Sequence, residues 1–175
     1  GQFAFISGIS SDIYKSVYSW FGHFRGGLAM ATIMACSGFA AICGSSLATG
    51  ATMGMVAIPE MNRYNYDPRL STGCVAAGGT LGILIPPSIG FVIYGILTEQ
   101  SIGKLFMAGI LPGLLLTGIF LAVIWFRCWM NPDFGPCGPA TTWTQKFKSL
   151  GGTWGMMLLF ALVMGGIYLG WFTPT

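Results

Sequence analysis

The sequence predicts an all-α integral membrane protein whose transmembrane helices are joined by a re-entrant helical hairpin and a discontinuous helix. Three observations carry that expectation. Charged residues are 7% of the 175 positions and apolar residues 54%, whereas a soluble domain is about 25% charged. Four runs, Gly26–Pro59, Leu70–Thr98, Leu105–Phe126 and Ser149–Thr175, contain no charged side chain, and each exceeds the roughly 20 residues that cross a bilayer as helix. Two of these runs are interrupted by small polar residues or prolines, at GSSLATG and GGTLGILIPPS. The net charge of +3 is scattered along the chain and offers no basic patch to nucleic acid.

Residues 1–25 read as the end of a membrane helix followed by an interfacial amphipathic arm. In SSDIYKSVYSWFGH, Ile13, Val17, Trp20 and Phe21 recur at helical spacing opposite Asp12 and Lys15, with Tyr and Trp as interface anchors. The opening GQFAFISGIS lacks the basic stretch of a signal peptide, so the chain reads as a piece of a longer protein.

Residues 26–62 form the hairpin. A straight helix over the 34 residues of Gly26–Pro59 would be about 51 Å long, against a hydrocarbon core of roughly 30 Å. Two full spans with a turn at Gly44–Gly50 leave Ala51–Pro59 as the second arm, only about 13 Å of helix. A hairpin that enters and leaves on one side fits both lengths. It also gathers Lys15, Arg25, Arg63, Arg69, Arg127, Lys146 and Lys148 on one face and leaves Lys104 alone on the other. The positive-inside tendency makes the crowded face cytoplasmic.

Residues 69–100 form the broken transmembrane helix, entered through an Asp67-Pro68 turn. Residues 105–129 form an uninterrupted span, with Pro112 and Gly113 as helix-start residues and Trp125 and Trp129 at its far end. Residues 130–149 form a cytoplasmic loop with a short interfacial helix in TTWTQKFKS, and residues 150–172 form a last span with Trp154 and Trp171 near its ends. Glu60 and Asp67 are expected in interfacial ion pairs with Arg63 and Arg69. The five cysteines contain no CxxC pair and His23 is the only histidine, which argues against a transition-metal centre.

The chemistry lies in the two breaks. Irregular backbone survives at membrane depth only where protein or a wet cavity satisfies it. Pro86-Pro87 removes two N–H donors, and the carbonyls freed upstream suit a small hard cation. Helix N-termini after each break, expected near Ala51 and Pro87, would point positive ends at an anion. Glycines spaced like Gly78 and Gly82 also serve close helix packing. Discontinuous helices meeting at the midplane are nevertheless the pattern of secondary transporters.

These breaks, in this order, carry a family resemblance. RGGLAMATIMACSGFAAICGSSLATGATMGMVAIPEM, YDPRLSTGCVAAGGTLGILIPPSI, YGILTEQSIGKLFMAGILPGLLL and the terminal GIYLGWFTPT resemble the large membrane subunit of tripartite ATP-independent periplasmic (TRAP) transporters, of the DctM-like type. The resemblance implies an elevator-type carrier with two inverted repeats, of which this chain holds the first. It implies import of carboxylates (C4-dicarboxylate, sialic acid or a similar organic acid) with Na+ as coupling ion and no organic cofactor. It also implies a small membrane (Q) subunit and a periplasmic substrate-binding (P) protein as partners, in the bacterial inner membrane. Carried over by position, Gly44, Ser45, Ser46, Thr49, Gly79, Thr80 and Gly82 would hold sodium, and Ser46, Thr49, Pro86, Pro87 and Ser88 would face substrate. The second hairpin and second broken helix are expected beyond Thr175.

Other classes fare less well. An ion channel lined by the breaks, or another carrier with a re-entrant hairpin, would use the same oxygens. An intramembrane hydrolase using Ser45 or Ser46 lacks both a base within the membrane runs and a GxSxG elbow. The chain is therefore read as a non-enzyme. A purely structural subunit would not need two polar interruptions at depth.

Overall fold

The computed structural model describes residues 9–22, 24–136, 154, 158, 160–167 and 169. Its ordered elements are helical, with no strand among the described residues. Helix α1 (Ile9–Phe21) packs on α2 (Gly27–Cys43). It buries Ile13, Tyr14 and Ser16, while Val17, Trp20 and Phe21 are partly covered. The side chains of Asp12 and Lys15 lie outside the described residues.

Helix α2 is the centre of the fold. Leu28, Ala29, Ile33, Cys36, Phe39 and Ala40 are each at most 1% exposed. A helix apolar on every side must be surrounded, and its many small residues let α1, α3, α4 and α6 approach. It stops at Gly44, whose φ of +60° costs a glycine little. Ser45 is extended and caps α3 (Ser46–Arg63), its hydroxyl accepting from Ala48 N at 3.4 Å. The chain then returns antiparallel: Thr32 Oγ1 in α2 lies 3.5 Å from Met61 Sδ near the end of α3.

The two arms have 17 and 18 residues, about 26 and 27 Å of helix. This corrects the short second arm expected from the sequence. With Ser45 as cap, Ser46–Gly50 are already helical, and α3 continues through Pro59 to Arg63. Arm length therefore does not separate a hairpin from two full spans; the position of the tip, described below, bears on that instead.

Helix α4 (Pro68–Leu84) starts at Asp67, whose carboxylate accepts from Arg69 N at 2.7 Å. That cap replaces the expected ion pairs: among the described residues Glu60 and Asp67 form none with Arg63 or Arg69. Helix α4 ends where Pro86 holds Ile85 extended, at ψ 120°. After the cis Pro86–Pro87 bond, α5 (Ile89–Leu97) resumes the direction of the span. Pro68–Leu97 and α6 (Ile102–Met130) are 30 and 29 residues long and apolar enough to cross a membrane.

Helix α6 is continuous from Ile102, so Pro112 sits in its interior and does not start it. Proline is tolerated inside packed transmembrane helices. Gly109 and Gly113 form the face that meets the break. A Cβ on Gly113 would lie 3.0 Å from Ile85 Cγ1, and one on Gly109 would lie 2.9 Å from Leu84 O.

The loop after α6, with a 3-10 turn at Pro132–Phe134, folds under the open end of the hairpin. Gly26 N donates to Gly135 O at 3.0 Å and Asp67 N to Phe134 O at 3.3 Å. Tyr66 accepts from Leu28 N at 3.2 Å and donates to Pro136 O at 2.9 Å. Arg25, Arg63, Arg69 and Arg127 are thereby collected at this end, with Lys104 at the opposite end of α6. His23, Cys137, TTWTQKFKS and most of the last expected span lie outside the described residues.

Candidate functional site

The hairpin tip seats directly on the break in the second span. A Cβ on Gly82 would lie 2.7 Å from Ser45 O, and one on Gly79 would lie 3.2 Å from Gly50 Cα and 3.4 Å from Ser46 O. Gly44 abuts Pro87 O, and its own carbonyl accepts from Ile89 N at 3.2 Å. Backbone therefore meets backbone at this crossing, which requires glycine at 82 and leaves little room for a side chain at 79. Gly78 faces the other way: its Cβ would lie 2.6 Å from Cys36 Sγ on α2, a packing contact.

Four helix ends converge here. Helices α2 and α4 end at the crossing, and α3 and α5 begin there. Terminating helices present partial negative charge and starting helices partial positive charge. One small volume thus offers carbonyl ends for a cation and amide ends for an anion.

The breaks are narrower than the sequence indicates. The first is Gly44-Ser45 and the second Ile85–Ser88, so Ser46–Gly50 and Gly78–Leu84 are helical. Glycine disfavours helix by only about 1 kcal/mol, which packing overrides. The helix N-termini accordingly fall at Ser46 and Ile89, not near Ala51 and Pro87.

Polar bookkeeping at the crossing is uneven. Pro86 has no N–H for Gly82 O, and Pro87 has none for Ile83 O. The Ile83 carbonyl is taken up by the Ser88 hydroxyl, which donates to it at 2.7 Å. Thr49 is 0% exposed, and its hydroxyl has no hydrogen-bond partner among the described residues. An unpaired buried polar group costs about 1–3 kcal/mol.

Of the residues expected at a sodium site, Gly44, Ser45, Ser46, Thr49, Gly79 and Gly82 lie at the crossing or in the helical turns flanking it. Thr80 does not join them: its side chain is exposed and donates to Ala77 O at 2.6 Å. Of those expected to face substrate, Pro87 and Ser88 line a cleft of about 490 Å³ together with Cys43, Gly44, Ile89 and Phe106. Ser46, Thr49 and Pro86 do not line it, and Pro86 is fully buried. Sequence reasoning passes over Gly109 and reads Gly113 as a helix-start residue, whereas both seat α6 against the break; their i, i+4 spacing is the available signal, obscured by Pro112.

The crossing also has a depth. Before the break α4 contributes 17 residues, and after it α5 contributes 9, about 26 and 14 Å of helix. The hairpin tip stops level with the break, about 14 Å short of the end of the span.

An apolar chain whose described elements are helical and include a discontinuous span matches the pattern of membrane transporters. The family described as "Tripartite ATP-independent periplasmic transporter, DctM component" matches residues 1–175, and the chain belongs to that family. It is 43% identical, over its whole length, to the C4-dicarboxylate TRAP transporter large permease protein DctM of Pseudomonas aeruginosa, of which it covers 40%. It is 36% identical over 91% of its length to the ectoine/5-hydroxyectoine TRAP transporter large permease protein UehC of Ruegeria pomeroyi, covering 37% of that protein. It is 35% identical over 96% of its length to the sialic acid TRAP transporter permease protein SiaT of Haemophilus influenzae, covering 27% of it. The chain thus spans less than half the length of these relatives.

Proposed function

We propose that this chain supplies the first inverted repeat of a sodium-coupled, elevator-type carrier subunit that imports an organic acid. On this reading α2 and α3 form a re-entrant hairpin with its open, arginine-rich end in the cytoplasm. The subunit is a multi-pass protein of the bacterial inner membrane. It works with a small membrane subunit and receives substrate from a periplasmic binding protein. The observation that supports the reading is the buried Thr49 hydroxyl, without a partner among the described residues where two helix breaks cross.

Hydroxyl and carbonyl oxygens at unwound helix ends are the usual ligands of a transported Na+. Thr49 and the carbonyls of Ser45 and Gly82 are the groups that would hold it. A substrate carboxylate would occupy the neighbouring cleft at Pro87 and Ser88, towards the positive starts of α3 and α5. A cation held beside that carboxylate raises its affinity, and by linkage the carboxylate raises the affinity for sodium. The backbone contacts at Gly79 and Gly82 tie hairpin and broken span into one body, as an elevator movement requires. The relative named for C4-dicarboxylates, at 43% identity, favours a small dicarboxylate as cargo.

The test is uptake of succinate, and in parallel of sialic acid, into proteoliposomes carrying the full-length permease with its small subunit and binding protein. Uptake of one of them driven by a sodium gradient and absent with potassium is the expected result. Equal uptake in both salts, or ionic current without the binding protein, would refute the reading.

A further inference from the structure

A second cavity, of about 310 Å³, lies between α2, α4 and α6 near the arginine-rich end. Its walls are apolar, from Ile33, Leu70, Phe120 and Ile124, and its polar lining includes Arg69 and Arg127. Arg69 stands in the first turn of one membrane-capable span and Arg127 in the last turn of the other. Both side chains are therefore held at the same membrane face, with hydrocarbon-compatible walls beside them.

Among the described residues no ion pair reaches either arginine: Asp67 accepts the backbone N–H of Arg69, and Asp133, the acid nearest Arg127 in sequence, forms none with it. The Arg127 guanidinium lies 5.5 Å from the centre of the Phe134 ring, which positions the charge without cancelling it. Gly73 lines the same cavity, and a Cβ there would meet nothing within 4 Å. The wall is open at that point by lack of a side chain.

We propose that this cavity binds an anionic phospholipid, with the headgroup phosphate on Arg69 and Arg127 and one acyl chain along the wall at Gly73. Basic pockets between transmembrane helices on the cytoplasmic side take acidic lipid headgroups. The paired arginines match a phosphate, and the apolar walls match a chain that inorganic phosphate does not have. This site is separate from the crossing of the breaks; it requires that the two apolar spans cross the bilayer, and it rests on the proposed cytoplasmic placement of the arginine-rich end.

The experiment is native mass spectrometry of the full-length permease in detergent, titrated with phosphatidylglycerol, phosphatidylcholine or inorganic phosphate. The wild type is expected to retain phosphatidylglycerol over phosphatidylcholine. R69Q/R127Q should reduce that retention on the order of tenfold, while R69K/R127K largely keeps it. Gly73→Leu, whose Cβ meets nothing within 4 Å, places a side chain in the cavity and should reduce retention with both arginines intact. Unaltered thermal unfolding verifies that each variant is folded. Phosphatidylglycerol retention unchanged in R69Q/R127Q or in Gly73→Leu overturns the proposal, as does its displacement by inorganic phosphate.

Discussion

The two ends of the α2–α3 hairpin are built from similar parts and finished differently. At the open end, Tyr66 both accepts from Leu28 N and donates to Pro136 O, and Gly26 N donates to Gly135 O. Protein groups close most of that end with one another, although the buried Tyr18 hydroxyl, packed beside Tyr64, has no hydrogen-bond partner among the described residues. At the tip, backbone packs on backbone just as closely, yet the Thr49 hydroxyl is buried without a partner among the described residues, and Pro86, having no N–H, cannot donate to Gly82 O. A junction made mostly of paired groups holds the fold together. On the proposed reading, the unpartnered Thr49 hydroxyl at the tip is where a transported ion would gain binding energy.

The contrast can be broken from either end, and the largest effect is expected at the tip. Gly82→Leu drives a side chain into the Ser45 backbone, 2.7 Å from where its Cβ would lie. Overpacking against backbone destabilises by about 1–3 kcal/mol or more. Sodium-driven uptake by the full-length permease should be abolished while membrane insertion, followed by fractionation, persists.

Tyr66→Phe comes next. It removes two hydrogen bonds at the open end and should lower stability by about 2 kcal/mol in thermal unfolding. The sodium concentration giving half-maximal uptake should not move. A shift there would show that the two ends are not independent.

Much of this layout is legible in the sequence, because its signals are local. Pro86-Pro87 stops a helix wherever it falls, and charge-free runs mark the spans without any knowledge of packing. What escaped is what packing decides. Whether Ser46–Gly50 and Gly78–Leu84 are helical turns on an energy of about 1 kcal/mol per glycine, settled by contacts between residues far apart in sequence. Asp67 reads equally as an ion-pair partner or a cap until the turn is built. The sequence also does not distinguish Thr80 from Thr49, although one is exposed and hydrogen-bonded and the other buried and unpartnered.

That difference gives the smallest expected effect. Thr80→Val removes a hydroxyl already bonded to Ala77 O on an exposed helix face. Stability should change by no more than about 0.5 kcal/mol, and sodium dependence should be that of the wild type in the same uptake assay.

The central claim is that the crossing of the two breaks binds sodium through Thr49. It is tested most directly by the unfolding temperature of the purified full-length permease in sodium chloride against potassium chloride, for wild type and Thr49→Val. A ligand that binds only the folded state raises stability by RT ln(1 + [L]/Kd), about 2.7 kcal/mol at a hundred times Kd. The account predicts a sodium-specific rise for the wild type. Thr49→Val should lose that rise, and in potassium chloride it should be no less stable than the wild type, because valine fills the volume without burying an unpaired hydroxyl. A Thr49→Val protein that keeps the full sodium-specific rise would contradict it.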